Sequence, residues 1–127
     1  MTNSSPLVGA VLFAWLPDDQ RPGVPGAKFR PVLIVDADVA NKRLVVAYGT
    51  SQRTDRCNRG EIVFRKEDVP GLAKDTKFCL WKTKVIPISP EYLSRDQSSG
   101  GLAVLGRVPA KLSSVLLARL QEVANIN

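Results

Sequence analysis

Histidine is absent from this 127-residue chain, which removes the commonest metal ligand and the commonest proton-transfer group at neutral pH. Cysteine is scarce. Cys57 and Cys79 are too few for a disulfide framework, and their wide separation matches no zinc-binding spacing. They read as a loop thiol and a small buried hydrophobe. No apolar run approaches the roughly 20 residues of a membrane span. The opening MTNSSPLVGA also lacks the basic start and long apolar stretch of a secretory signal, so the expected location is the cytoplasm. Negative charge is short as well: 12 Asp and Glu face 18 Lys and Arg, a formal net charge of +6. That excess suits an acidic partner such as nucleic acid, an anionic surface or an acidic polypeptide.

The remaining composition, 44% apolar and 24% charged, is that of one globular domain over residues 1–127 with a single sizeable core; residues 1–7 are the part allowed to be disordered. Short runs rich in β-branched and aromatic residues recur: VLFAW from Val11, VLIVD from Val32, LVVAY from Leu44, EIVF from Glu61 and FCLW from Phe78. Their length and content favour strands over helix. The connector LPDDQRPGVPGAK is dense in Pro and Gly and is expected to be a long exposed loop. Near the end the period changes. In PAKLSSVLLARLQEVA, residues Leu112, Val115, Leu116, Leu120 and Val123 recur at helical spacing, with Pro109 suited to an early helical position. The expected fold is mainly β, a small antiparallel barrel or sandwich closed by a C-terminal α-helix.

Two polar clusters border two of these strands. KFRPVLIVD sets Arg30 and Pro31 directly before a buried run, and VVAYGTSQ ends a second run in Thr50 and Ser51. The runs are joined by the short polar connector DVANK, so an antiparallel hairpin is the simplest arrangement. With Ala40 near the middle of the turn, facing residues sum to about 80, which places Arg30 opposite Thr50 with Ser51 adjacent. The loop QRTDRCNRG, carrying Arg53, Arg56 and Arg59, leaves from the same end. An arginine fork matches phosphate geometry and a hydroxyl can bond another phosphate oxygen, so one nucleic-acid phosphate is the ligand these groups suit. The plainer alternative is that Arg and Pro keep a strand edge soluble and that TSQ is an ordinary turn.

Taken in order, GAVLFAWLP, the Pro/Gly-rich loop, KFRPVLIVD, VVAYGTSQ and LGRVP before a terminal helix resemble the PemK/MazF-like toxins of type II toxin–antitoxin systems. The resemblance implies a compact SH3-like barrel, usually a homodimer, that cleaves single-stranded RNA without a metal or other cofactor and is held inactive by an acidic antitoxin. The family's catalytic arginine before a proline falls on Arg30, and its Thr or Ser at the end of the next strand falls on Thr50 and Ser51. The chain departs from the pattern in having Gly9-Ala10 where many members have Gly and an acidic residue. It also reads FCLWKTKV where many carry Asp-Gln.

On this basis Arg30, Thr50 and Ser51 are the candidate catalytic residues, and Lys28, Arg53, Arg56, Arg59, Lys82 and Lys84 are candidates for binding flanking phosphates. Cleavage would proceed by attack of the ribose 2′-hydroxyl on its neighbouring phosphate, a route closed to DNA. Proton transfer lacks an obvious agent, because a guanidinium is a poor base at neutral pH; Glu61, Asp55 and Lys28 are the nearby groups. Trp15 and Trp81 suit core or interface positions better than base stacking. The rival function is a non-catalytic SH3-like module that binds nucleic acid or an acidic protein partner.

Overall fold

The five expected β-runs all form strands in the computed structural model, which describes residues 7–17, 20, 23–26, 29–94 and 101–124. They are β1 (Ala10–Trp15), β2 (Phe29–Asp38), β3 (Arg43–Thr50), β4 (Glu61–Phe64) and β5 (Thr76–Pro87). A sixth strand, β6 (Val104–Arg107), pairs with β1, and a short 3-10 turn (Ala110–Leu112) leads into helix α1 (Ser113–Ala124), the one α-helix among the described residues. The order β4-β5-β3-β2-β1-β6, with antiparallel pairing throughout, makes one six-stranded sheet that curls into a half-barrel.

Both faces of the sheet are buried. One carries Leu12, Ala14, Val32, Ile34, Val46 and Ile86, covered by Tyr92 and Leu93 from the segment after β5. The other carries Val11, Leu33, Ala47, Ile62 and Phe78, covered by Val69, Leu72 and the helix residue Leu116. The apolar stripe Leu112, Val115, Leu120 and Val123 packs against this second cluster, as its helical spacing requires. Leu7 packs against the first cluster and so belongs to the folded domain.

Two boundaries differ from the sequence expectation. Pro109 is extended (φ −60°, ψ 142°) and stands before the 3-10 turn rather than inside the helix, which starts at Ser113. Strand β5 continues well past FCLW to Pro87. Its middle is irregular: Ala47 faces Thr83 while Tyr48 faces Cys79, so Leu80, Trp81 and Lys82 are extra residues on the β5 side. Leu80 instead sends its N–H to the Gly60 carbonyl at 2.8 Å.

The β2–β3 hairpin positions the site. Asn41 bonds both oxygens of Asp38 through its backbone N–H (3.2 Å) and side-chain amide (2.8 Å), and Lys42 takes φ 54° to complete the turn. Beyond a bulge at Val35, the pairs Ile34–Val46, Leu33–Ala47 and Val32–Tyr48 hold the expected sum of 80. Two residues further on, that register sets Arg30 beside Thr50. Gly49 allows the close approach there, since a Cβ would lie 2.7 Å from the Pro31 carbonyl and 2.8 Å from the Phe78 ring.

Candidate functional site

Where β2 begins and β3 ends, the sheet opens on a cavity of about 270 Å³. Arg30, Thr50 and Ser51 line it together with Gln52, Lys74 and Thr76, while Phe13, Phe29, Pro31 and Leu72 supply its apolar wall. Phe29 is 40% exposed although it is aromatic. It stacks on Phe13 (ring centroids 4.9 Å apart) and, tilted by 34°, lies 4.0 Å from the Trp15 ring, which is outside the cavity lining. The third lining segment comes from the loop between β4 and β5. Asp75 closes the base of that loop by accepting the Lys66 N–H (2.9 Å) and an Arg65 guanidinium bond (3.0 Å). These two contacts, the Lys66 N–H first, hold its carboxyl below the ordinary value of 3.8.

Arg30 is half-buried and has a partner that sequence reasoning missed. Its Nη1 donates to the Tyr48 hydroxyl at 2.9 Å, and the guanidinium carbon stands 5.0 Å from the centre of the same ring. One guanidinium nitrogen is thereby engaged. The signal was present in the alternation of β3, because Tyr48 lies two residues before Thr50 and hence on its face. Thr50 Oγ1 accepts the Gln52 N–H at 3.2 Å, which turns the chain so that Ser51 and Gln52 stand exposed at the rim.

The arginine loop is anchored from beneath. Lys77 is paired with Thr50 across β5 and β3, and Glu61 with Cys79 across β4 and β5. Their side chains, each only 8% exposed, form an ion pair at 3.4 Å. Both also hold the loop backbone: Lys77 Nζ donates to the Arg56 carbonyl (3.2 Å), and Glu61 Oε1 accepts the Asn58 N–H (2.9 Å). Arg53, Arg56 and Arg59 project from this loop as exposed cations, Arg53 with φ 54°. Cys57 is an exposed loop thiol as expected, whereas Cys79 is only partly buried and donates to Glu61 Oε2 at 3.7 Å. Burial, followed by the Glu61 charge, raises the Cys79 thiol above its ordinary 9.0.

The other candidates are dispersed. Lys82 is exposed in the irregular part of β5, and Lys84 is half-buried opposite Val46; neither lines the cavity. Lys28 lies outside the described residues. Asp55 is exposed on the arginine loop, and Glu61 is committed to Lys77 and Asn58. Trp15 packs on Phe29, but Trp81 is 56% exposed and so is not a core residue. Among the described residues, no helix is long and apolar enough to cross a membrane.

This fold, a curled antiparallel sheet with a C-terminal helix, is shared with solved structures of other proteins. The chain superposes on an endoribonuclease in complex with its cognate antitoxin from a mycobacterial species with a TM-score of 0.62, at 18% identity over 97% of this chain and 98% of that one. A second endoribonuclease from a mycobacterial species gives 0.55 at 15% identity over 98% and 96%. An Mtb toxin gives 0.54 at 22% identity over 74% and 91%. No protein-family model and no curated protein matches the chain.

Proposed function

We propose that the protein is the toxin component of a type II toxin–antitoxin system, an endoribonuclease that cuts single-stranded RNA without a metal and thereby inhibits growth. The observation that carries this is the convergence of Arg30, Thr50 and Ser51 on one cavity, in the fold of known toxin endoribonucleases. A phosphate seated there meets the free side of the Arg30 fork and the two hydroxyls. The 2′-hydroxyl gives up its proton as its oxygen attacks phosphorus, the bond to the 5′-oxygen breaks, and the leaving oxygen takes up a proton, so that none is gained or lost overall. The products are a 2′,3′-cyclic phosphate and a 5′-hydroxyl end. Arg30 stabilises the charge that grows on the phosphorane oxygens, and Thr50 and Ser51 donate to them.

The exposed Arg53, Arg56 and Arg59 hold neighbouring phosphates, while Lys28, Lys82 and Lys84 are further candidates for phosphates more distant along the strand. The same cations attract an acidic antitoxin, and the active form is a homodimer in the cytoplasm. The test is incubation of the purified protein with a long single-stranded RNA in excess chelator, followed by mapping of the ends. Cuts that leave 5′-hydroxyl ends, and that vanish when the nucleotide before the cut is 2′-deoxy, are expected. Uncut RNA, or equal cutting of the deoxy strand, overturns the proposal.

A further inference from the structure

Arg53, Arg56 and Arg59 share one short exposed loop, and like charges so close repel, so the loop spreads into water unless its backbone is tied. Lys77 and Glu61 tie its middle. Its Arg59 end is fixed from elsewhere, because Gly60 is restrained on three sides. The Gly60 N–H donates to Glu122 Oε1 of α1 at 3.0 Å, and the Gly60 carbonyl accepts the Leu80 N–H at 2.8 Å. On the third side a Cβ would lie 3.1 Å from Trp81 and from Val123, and the φ of +77° favours glycine as well. The N–H that Glu122 holds belongs to the rigid peptide plane shared with Arg59. The bond therefore sets the direction in which Arg59 leaves the loop.

Glu122 is itself held. Arg119, three residues earlier on the same helix, donates Nη1 to Glu122 Oε2 at 2.7 Å and leaves Oε1 for the loop. The Gly60 N–H, outweighing partial burial, and then Arg119 and the nearby Arg59 charge hold the Glu122 carboxyl below its ordinary 4.5, so it is ionised at neutral pH. The helix does not need this tie for its own packing, since Val115, Leu116, Leu120 and Val123 already seat it on the core. What the bond orders is the loop.

We propose that the C-terminal helix latches the RNA-binding loop: Glu122 is a positioning residue that holds the Arg59–Gly60 peptide and so presents Arg59 to a phosphate beyond the one seated at Arg30. The proposal rests on RNA being the ligand, but not on RNA being cut. Its test is therefore equilibrium binding of a short 2′-fluoro RNA, which lacks the attacking hydroxyl, at several salt concentrations. Glu122→Ala should weaken binding and flatten the slope of log affinity against log salt by about 0.7, the value for one single-strand phosphate contact. Glu122→Asp keeps the charge but is one methylene too short for Gly60, and it should do the same in a protein with a normal thermal melt. Glu122→Gln keeps an acceptor for the Gly60 N–H and should retain the wild-type slope. In an Arg59→Ala background, neither Glu122→Ala nor Glu122→Asp should change the slope further, since the contact they serve is already lost. An equal flattening in that background gives Glu122 a general structural role and overturns the latch. Tighter binding by both Glu122→Ala and Glu122→Gln, the mark of a carboxylate that only repels RNA, overturns it too. A wild-type protein that does not bind the strand overturns the latch together with the RNA reading. One that cuts RNA while Glu122→Ala and Glu122→Asp keep the wild-type slope refutes the latch alone; the expected slopes in a protein that never cuts the 2′-hydroxyl strand support the latch and refute the nuclease.

Discussion

Arg30 is held by a phenol. The Tyr48 hydroxyl accepts one guanidinium N–H at 2.9 Å and the ring lies beneath the cation, so in the proposed mechanism the remaining donors are aimed before a phosphate arrives. Preorganisation of this kind separates three substitutions. Arg30→Ala removes the donor and should lower the single-turnover rate by roughly 10²- to 10³-fold. Arg30→Lys keeps the charge but loses the planar fork, and a bidentate contact in the transition state predicts a loss nearly as large. Tyr48→Phe keeps the ring and deletes only the hydroxyl; a loss on the order of tenfold is expected, with RNA affinity and thermal melting unchanged. Single-turnover rates at saturating RNA measure all three. A normal rate for Arg30→Ala ends the case for this site, and a normal rate for Tyr48→Phe ends the case for its positioning role.

At the scale of elements, the hairpin that makes the site was legible because hydrophobic runs and a short polar turn constrain register. The sum of 80 held at the Arg30 end, where both faces are buried and slippage by one residue would invert every side chain. The bulge at Val35 lies on the turn side of the site and did not disturb it. Strand β6 was unreadable because VLGR is half-exposed and contains a glycine, so it carries neither a long apolar run nor a clean alternation. The far half of β5 was hidden for a related reason: Trp81, Lys82 and Thr83 are all exposed, and their pattern resembles a loop. Least legible was the Lys77–Glu61 pair, since nothing in TKFC or GEIVF marks their charges as buried. Both strands must pair before the two side chains meet. Breaking such a pair leaves one charge buried without a partner, so Lys77→Met should cost about 3–5 kcal/mol of stability in urea denaturation. Adding Glu61→Gln should restore much of that, because no uncompensated charge remains. The restored protein should still bind RNA more weakly, since the arginine loop has lost its tie at Arg56. Equal affinity in the double variant and the wild type would show that the tie does not position the loop.

For the whole molecule, charge is the quantity that reaches furthest. A chain at +6, with three exposed arginines on one anchored loop beside the cavity, attracts a polyanion before any specific contact forms. Each phosphate neutralised by such a side chain releases condensed counterions, and for single strands the logarithm of affinity falls with the logarithm of salt at about 0.7 per contact. Four contacts, through Arg30, Arg53, Arg56 and Arg59, therefore predict a slope of about −2.8, and replacing any one of the three loop arginines with Ala should flatten it by about 0.7. Arg30→Ala should flatten it by a similar amount, since its phosphate contact is lost as well. Lys82→Ala separates a broad basic face from a local track: Lys82 lies on β5 outside the cavity lining, and its loss should alter the slope only if the strand runs that way. An acidic antitoxin peptide that occupies the same cations should compete with RNA and show the same salt dependence. Fluorescence anisotropy of a labelled 2′-fluoro RNA, titrated at several salt concentrations with and without peptide, measures both effects. A flat salt response removes the basic track from the account of binding. A saturating peptide that leaves RNA affinity unchanged shows that the two partners use different surfaces of the protein.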